Sequence, residues 1–99
     1  KTFVEGYKAA GFSEGYEAYG AYSFDAANAI IQALKVSLAS ATDAKSAREA
    51  TIKAMASVSF DGATGKVAFD EFGDSVSRVL TVYAVTDGAW AAKKTGSLK

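Results

Sequence analysis

The side chains with usable chemistry fall into two groups. Asp61, Lys66, Asp70, Glu71 and Asp74 crowd one glycine-rich stretch, while Tyr16, Tyr19 and Tyr22 recur at a spacing of three. A general acid/base pair needs two carboxyls whose environments push their pKa values apart, and these carboxyls fall in turns and on polar faces. Gly62 to Lys66 has a trace of a phosphate-binding loop. That motif, however, requires Gly where Phe60 stands and Ser or Thr where Val67 follows the lysine. Asp70, Glu71 and Asp74 lack the alternating oxygen ligands and central glycine of an EF-hand calcium loop, so turn chemistry explains them better. The tyrosine stripe has two readings: a core or interface edge, or an apolar wall for a ligand with its hydroxyls in water.

No histidine and no cysteine occur among the 99 residues. The usual general base, Ser-His triads, thiolate metal sites and disulfides are therefore out of reach. The expectation is a non-enzyme without catalytic residues, metal or cofactor. Eleven basic residues balance eleven acidic ones, which leaves no electrostatic footprint for nucleic acid or an anionic membrane. No apolar run reaches the length of a membrane span, so any membrane association is peripheral at most. With 49% hydrophobic and 22% charged residues the composition is that of one small globular domain. Lys1 takes the place of an initiator Met without a signal peptide, as at a processing or engineered boundary.

The elements that must carry these residues are organised around Tyr19 to Leu38. Phe24, Ala27, Ile31, Leu34 and Leu38 form one stripe of an amphipathic helix, and Asp25, Asn28, Gln32 and Lys35 another face. We expect helices over about 2–10, 19–38 and 43–57. Gly11 caps the first, while Asp43, or the Ser46 to Glu49 capping-box spacing, starts the third. Ala47, Ile52 and Met55 are expected to be buried. Between the turn signals Asp61-Gly62 and Gly73-Asp74 lies a short strand through Lys66 to Phe69. Val76 to Thr86 has apolar residues on both alternating sets, as in a strand covered on both sides. Asp87-Gly88 signals a two-residue hairpin into Ala89 to Ala92, and Lys93 to Lys99 is expected to fray.

Four blocks carry a resemblance. Tyr19 to Ile30, Ala44 to Met55, the Phe-x-Gly-x-x-Gly-x-x-x-Phe-Asp-x-x-Gly-Asp pattern of Phe60 to Asp74, and Val79 to Trp90 together resemble the C-terminal segment of a leucine/isoleucine/valine-type periplasmic binding protein. Phe24 replaces the commoner Tyr of that family, and the proline usual ahead of the central helix is missing. The resemblance implies an α/β fold, a partial lobe of the type I periplasmic-binding flytrap with three helices, short strands and a C-terminal hairpin. Residues 1–79 would belong to the first lobe. Leu80, Thr81, Val82 and Tyr83 would form the inter-lobe hinge crossing, and residues 84–99 the closing hairpin on the second lobe with its tail. Tyr19 would be an aromatic wall of the ligand site.

The implied role is extracytoplasmic, in the periplasm. The protein would bind a branched-chain or other small amino acid, or a related polar molecule, for an ABC transporter permease. The groups for the ligand's α-amino and α-carboxylate, and much of the sheet, would lie in the remainder of the binding protein. The alternative is a small non-catalytic interaction module or sensor domain without a ligand pocket. Because a buried Phe or Ile contributes about 1.5–3 kcal/mol, the 99 residues are expected to be unstable without a covering partner.

Overall fold

A computed structural model describes residues 2–98. Asp43, in extended backbone, opens the best-capped helix: its carboxylate accepts from the Ser46 N–H at 2.7 Å, and its own N–H donates to Ser46 Oγ at 3.1 Å. This reciprocal capping box satisfies amides that a helix start would otherwise leave open. The helix, α3, runs Ala44–Met55, shorter than expected. Two helices precede it, α1 (Thr2–Ala9) and α2 (Gly20–Ser37). Gly11, at φ +68°, turns the chain out of α1 in the left-handed conformation glycine tolerates best.

Expectation and structure part on which face of α2 is buried. The inward stripe is Asp25, Ala29, Ala33 and Ser37, a four-residue repeat of small or polar side chains. Phe24, Ile31 and Leu38, assigned from the sequence to the buried stripe, are exposed. Small side chains at four-residue spacing let α3 and a β-hairpin approach the helix closely. The Ser37 and Thr51 hydroxyls meet at 2.7 Å across the α2–α3 contact. Ala29, Ala33 and Val58 form the core, with Ala54, Met55, Phe60, Val67 and Phe69 packed around them. Ile52 is exposed, a second correction, because α3 turns its Ala47, Ala50, Thr51, Ala54 and Met55 flank inward and Ile52 lies off that flank.

The short strand expected through Lys66 to Phe69 forms one residue earlier, as the second arm of a hairpin that a turn follows. Strand β1 (Ser59–Gly62) pairs antiparallel with β2 (Gly65–Ala68) around a two-residue turn at Ala63 and Thr64, just past the Asp61-Gly62 signal. Gly65, at φ +110°, permits the tight return. Asp70 then accepts from the amides of Phe72 at 3.0 Å and Asp74 at 2.9 Å, the turn chemistry expected of it.

Strand β3 (Val79–Thr86) pairs antiparallel with β4 (Ala89–Ser97) in a second, separate sheet. Asp87 and Gly88, at φ +52° and +77°, make the tight turn that the dipeptide predicts. The tail expected to fray is strand instead, with Thr95 opposite Thr81 and Ser97 opposite Val79, and the Leu98 amide donating to the Arg78 carbonyl. Backbone pairing with a strand as β-prone as β3 holds this polar sequence in place. Lys1 and Lys99 lie outside the described residues. β3 is not covered on both sides: Val79, Leu80, Val82, Tyr83 and Val85 are all exposed.

Aromatic packing ties α1 to the start of α2. Phe3 meets Tyr16 and Phe24, each at 5.2 Å between ring centroids, and Tyr7 meets Phe12 at 5.0 Å and Tyr16 at 5.6 Å. Such tilted and edge-on pairs add to the area they bury. Tyr16 thereby packs against the α1 aromatic side chains, apart from the Ala29, Ala33 and Val58 core.

Candidate functional site

Asp25 sits one turn into α2 and is 4% exposed. Its Oδ1 accepts from the Ala63 N–H at 2.8 Å, and its Oδ2 from the Thr64 N–H at 2.8 Å and the Thr64 hydroxyl at 2.6 Å. Burial, the largest single influence, pushes this carboxyl's pKa upward. The Thr64 hydroxyl and the two amides together outweigh it and hold the group below its ordinary value of 3.8. The carboxylate thus pins the β1–β2 turn onto the helix. A Cβ on Gly62 would lie 2.6 Å from the Asp25 carboxylate, so the strand can approach this closely only with glycine there.

The pinned turn forms one wall of a groove of about 700 Å³, a volume within the range of small-molecule sites. Tyr19 and Tyr22, at the N-terminal end of α2, form a second wall, and β3 with the segment leading into it forms the third. Tyr19 is the helix N-cap residue and is 79% exposed, with its ring against no core. Leu80, Thr81 and Tyr83 line the groove and Val82 does not. The structure therefore brings Tyr19 together with three of the four residues assigned to the crossing, across some sixty residues of chain. Between Val82 and Tyr83 the β3–β4 register slips: Val82 faces Lys94, Tyr83 faces Ala92, and Lys93 is left over as a bulge. Bulges bend a strand and increase its local twist.

Sequence reasoning missed Asp25, Thr64, Lys66 and the Ser75–Ser77 stretch as parts of this site. Asp25 reads as a solvated residue because its turn partners lie 38 and 39 positions away. The sequence holds one clue, a Gly-x-x-Gly turn whose amides need an acceptor. Among the described residues, no cluster of three His, Cys, Asp or Glu could hold a metal ion, and no helix is long and apolar enough to cross a membrane. What the groove offers a small molecule is shape, aromatic surface and hydroxyl groups.

The family model described as the receptor family ligand binding region matches residues 3–88. No curated protein and no solved structure matches the chain.

Proposed function

The chain belongs to the receptor family ligand binding region, of the type I periplasmic-binding-protein kind, and on that footing we propose that it supplies one wall and the crossing strand of a small-molecule site in an extracytoplasmic binding protein. The ligand is a branched-chain or other small amino acid, or a related polar molecule, carried in the periplasm to an ABC transporter permease. Tyr19 is the aromatic wall. Residues 1–79 belong to the first lobe, Leu80 to Tyr83 cross between lobes, and residues 84–99 return on the second.

One observation carries this reading: Tyr19, the N-cap of α2, and Leu80, Thr81 and Tyr83 on β3 line a common groove. An aromatic ring left exposed beside a strand that bends at a bulge suits a site that closes by hinge rotation, the rigid parts moving about a few residues. The test is calorimetric titration of the full-length protein with a panel of amino acids and small carboxylic acids. Tyr19→Ala should weaken the bound member by about tenfold and leave the unliganded melting temperature in place, since so exposed a ring supports little of the fold. Unchanged affinity would remove Tyr19 from the site.

A second reading, an interaction module without a ligand pocket, draws on the exposed apolar surface of β3 and on Trp90, 76% exposed on β4. It would be favoured by binding of a protein but of no small molecule in the panel.

A further inference from the structure

Among the described residues β2 pairs only with β1 and β3 only with β4, so each keeps an unpaired edge. Just past β2 the chain turns back: Phe69 bridges Ser75, and the Val76 amide donates to the Ala68 carbonyl at 3.1 Å. That pairing ends before β3 begins at Val79, and the groove opens between the two strands. Val79, Leu80 and Thr81 are consecutive, as are Lys66 and Val67, and all of them line it. Successive side chains of a strand point to opposite faces, so a cavity bordered by a run of neighbours lies along the strand's edge. Burial on β2 agrees, since Val67 packs on the core while Lys66 is exposed. Tyr22, Ala26 and Ala29, on one face of α2, supply the floor.

The β3 edge is also unguarded. Strand edges that stay free carry charges, prolines or bulges. β4 has Lys93 as a bulge and Lys94 beside it, whereas Val79 to Thr86 holds neither charge nor proline. The N–H and C=O groups of such an edge need partners, and an extended chain supplies both in register. We infer that the ligand is a short peptide bound in extended form, its main chain added to the edge of β3 as a further strand. Every second side chain then lies on the α2 floor, where Ala26 and Ala29 leave room for an apolar one. A free amino acid offers one amine and one carboxylate, while a peptide repeats N–H and C=O at the strand's own spacing. This assignment rests on the groove being the ligand site, as proposed above, and names a peptide as the polar molecule it takes.

The experiment is calorimetric titration of the full-length protein with the neutral peptide acetyl-Val-Thr-Val-Thr-Val-amide, set against free valine and free threonine. The peptide should bind more tightly than either amino acid by about tenfold or more. Of two versions N-methylated on alternate sets of residues, one or both should lose about tenfold in affinity, because the methyl groups remove the donors that face β3. On binding, every second amide of β3 should gain protection from hydrogen exchange, which side-chain contact alone would not produce. Amino acids that bind as tightly as the peptide, or methylated versions that both bind unchanged, would overturn the peptide assignment, and the groove would still stand if Tyr19→Ala weakened binding. If neither peptide nor amino acid binds the folded protein, the peptide assignment and the groove fall together. Slow exchange of every β3 amide without ligand would then show that the protein itself pairs this edge.

Discussion

Asp25 works as an acceptor for three donors, not as an acid or a base. Asp25→Asn turns one acceptor oxygen into a donor facing donors. We expect it to cost about 1–3 kcal/mol in urea unfolding of the full-length protein, the usual penalty for a buried hydrogen-bonding group left unpaired. The pH dependence follows from the direction of its shift. A carboxyl held below 3.8 in the folded state contributes stability that is fully present above 3.8 and is lost as the pH falls through the lower, folded value. The difference in urea midpoint between wild type and Asp25→Asn should therefore hold from neutrality down to about pH 4 and close below it. A gap that persists under strong acid would mean the site depends on shape and not on the charge.

The elements differ in how far local rules reached them. The α3 cap and the Asp87-Gly88 turn involve residues within three or four positions of one another, so local chemistry foretells them. The burial of α2 does not yield to such rules. Apolar periodicity points to Phe24, Ile31 and Leu38, while packing against α3 and the β1–β2 hairpin selects Asp25, Ala29, Ala33 and Ser37. Close approach of backbone needs small side chains, and periodicity of hydrophobicity alone does not weigh size. Ala33, 1% exposed, provides the test. Ala33→Leu raises hydrophobicity yet should destabilise the full-length protein by about 1–3 kcal/mol in chemical denaturation, through overpacking. A stabilised variant would show room behind the helix that the packing denies.

The whole molecule is too open for its size. Its radius of gyration is 17.0 Å, against roughly 13 Å for a compact domain of this length. Its accessible surface is 7853 Å², against about 5,300 Å² for a folded monomer of this mass. Ile30, Ile31 and Val36 on α2, Leu38 at its C-cap and the apolar residues of β3 are among the large side chains left exposed. Surfaces of this kind are normally covered. Alone in solution the 99 residues should melt without a sharp transition, bind a hydrophobic dye strongly and associate. A monomer with one cooperative calorimetric transition would overturn that expectation.

The helices, the tight turns, the want of His and Cys chemistry and, through the Phe60 to Asp74 pattern, a resemblance in keeping with the receptor family ligand binding region matched over residues 3–88 were all legible in the residues alone. These are properties of near neighbours in the chain or of composition. Long-range packing, by contrast, sets that a helical aspartate holds a turn 38 residues away, that small residues form the buried face of α2, that a polar tail is a strand, and that Tyr19 and β3 share a groove. Each of these depends on which distant surfaces meet, and a distant partner leaves no periodic trace in the residues it selects.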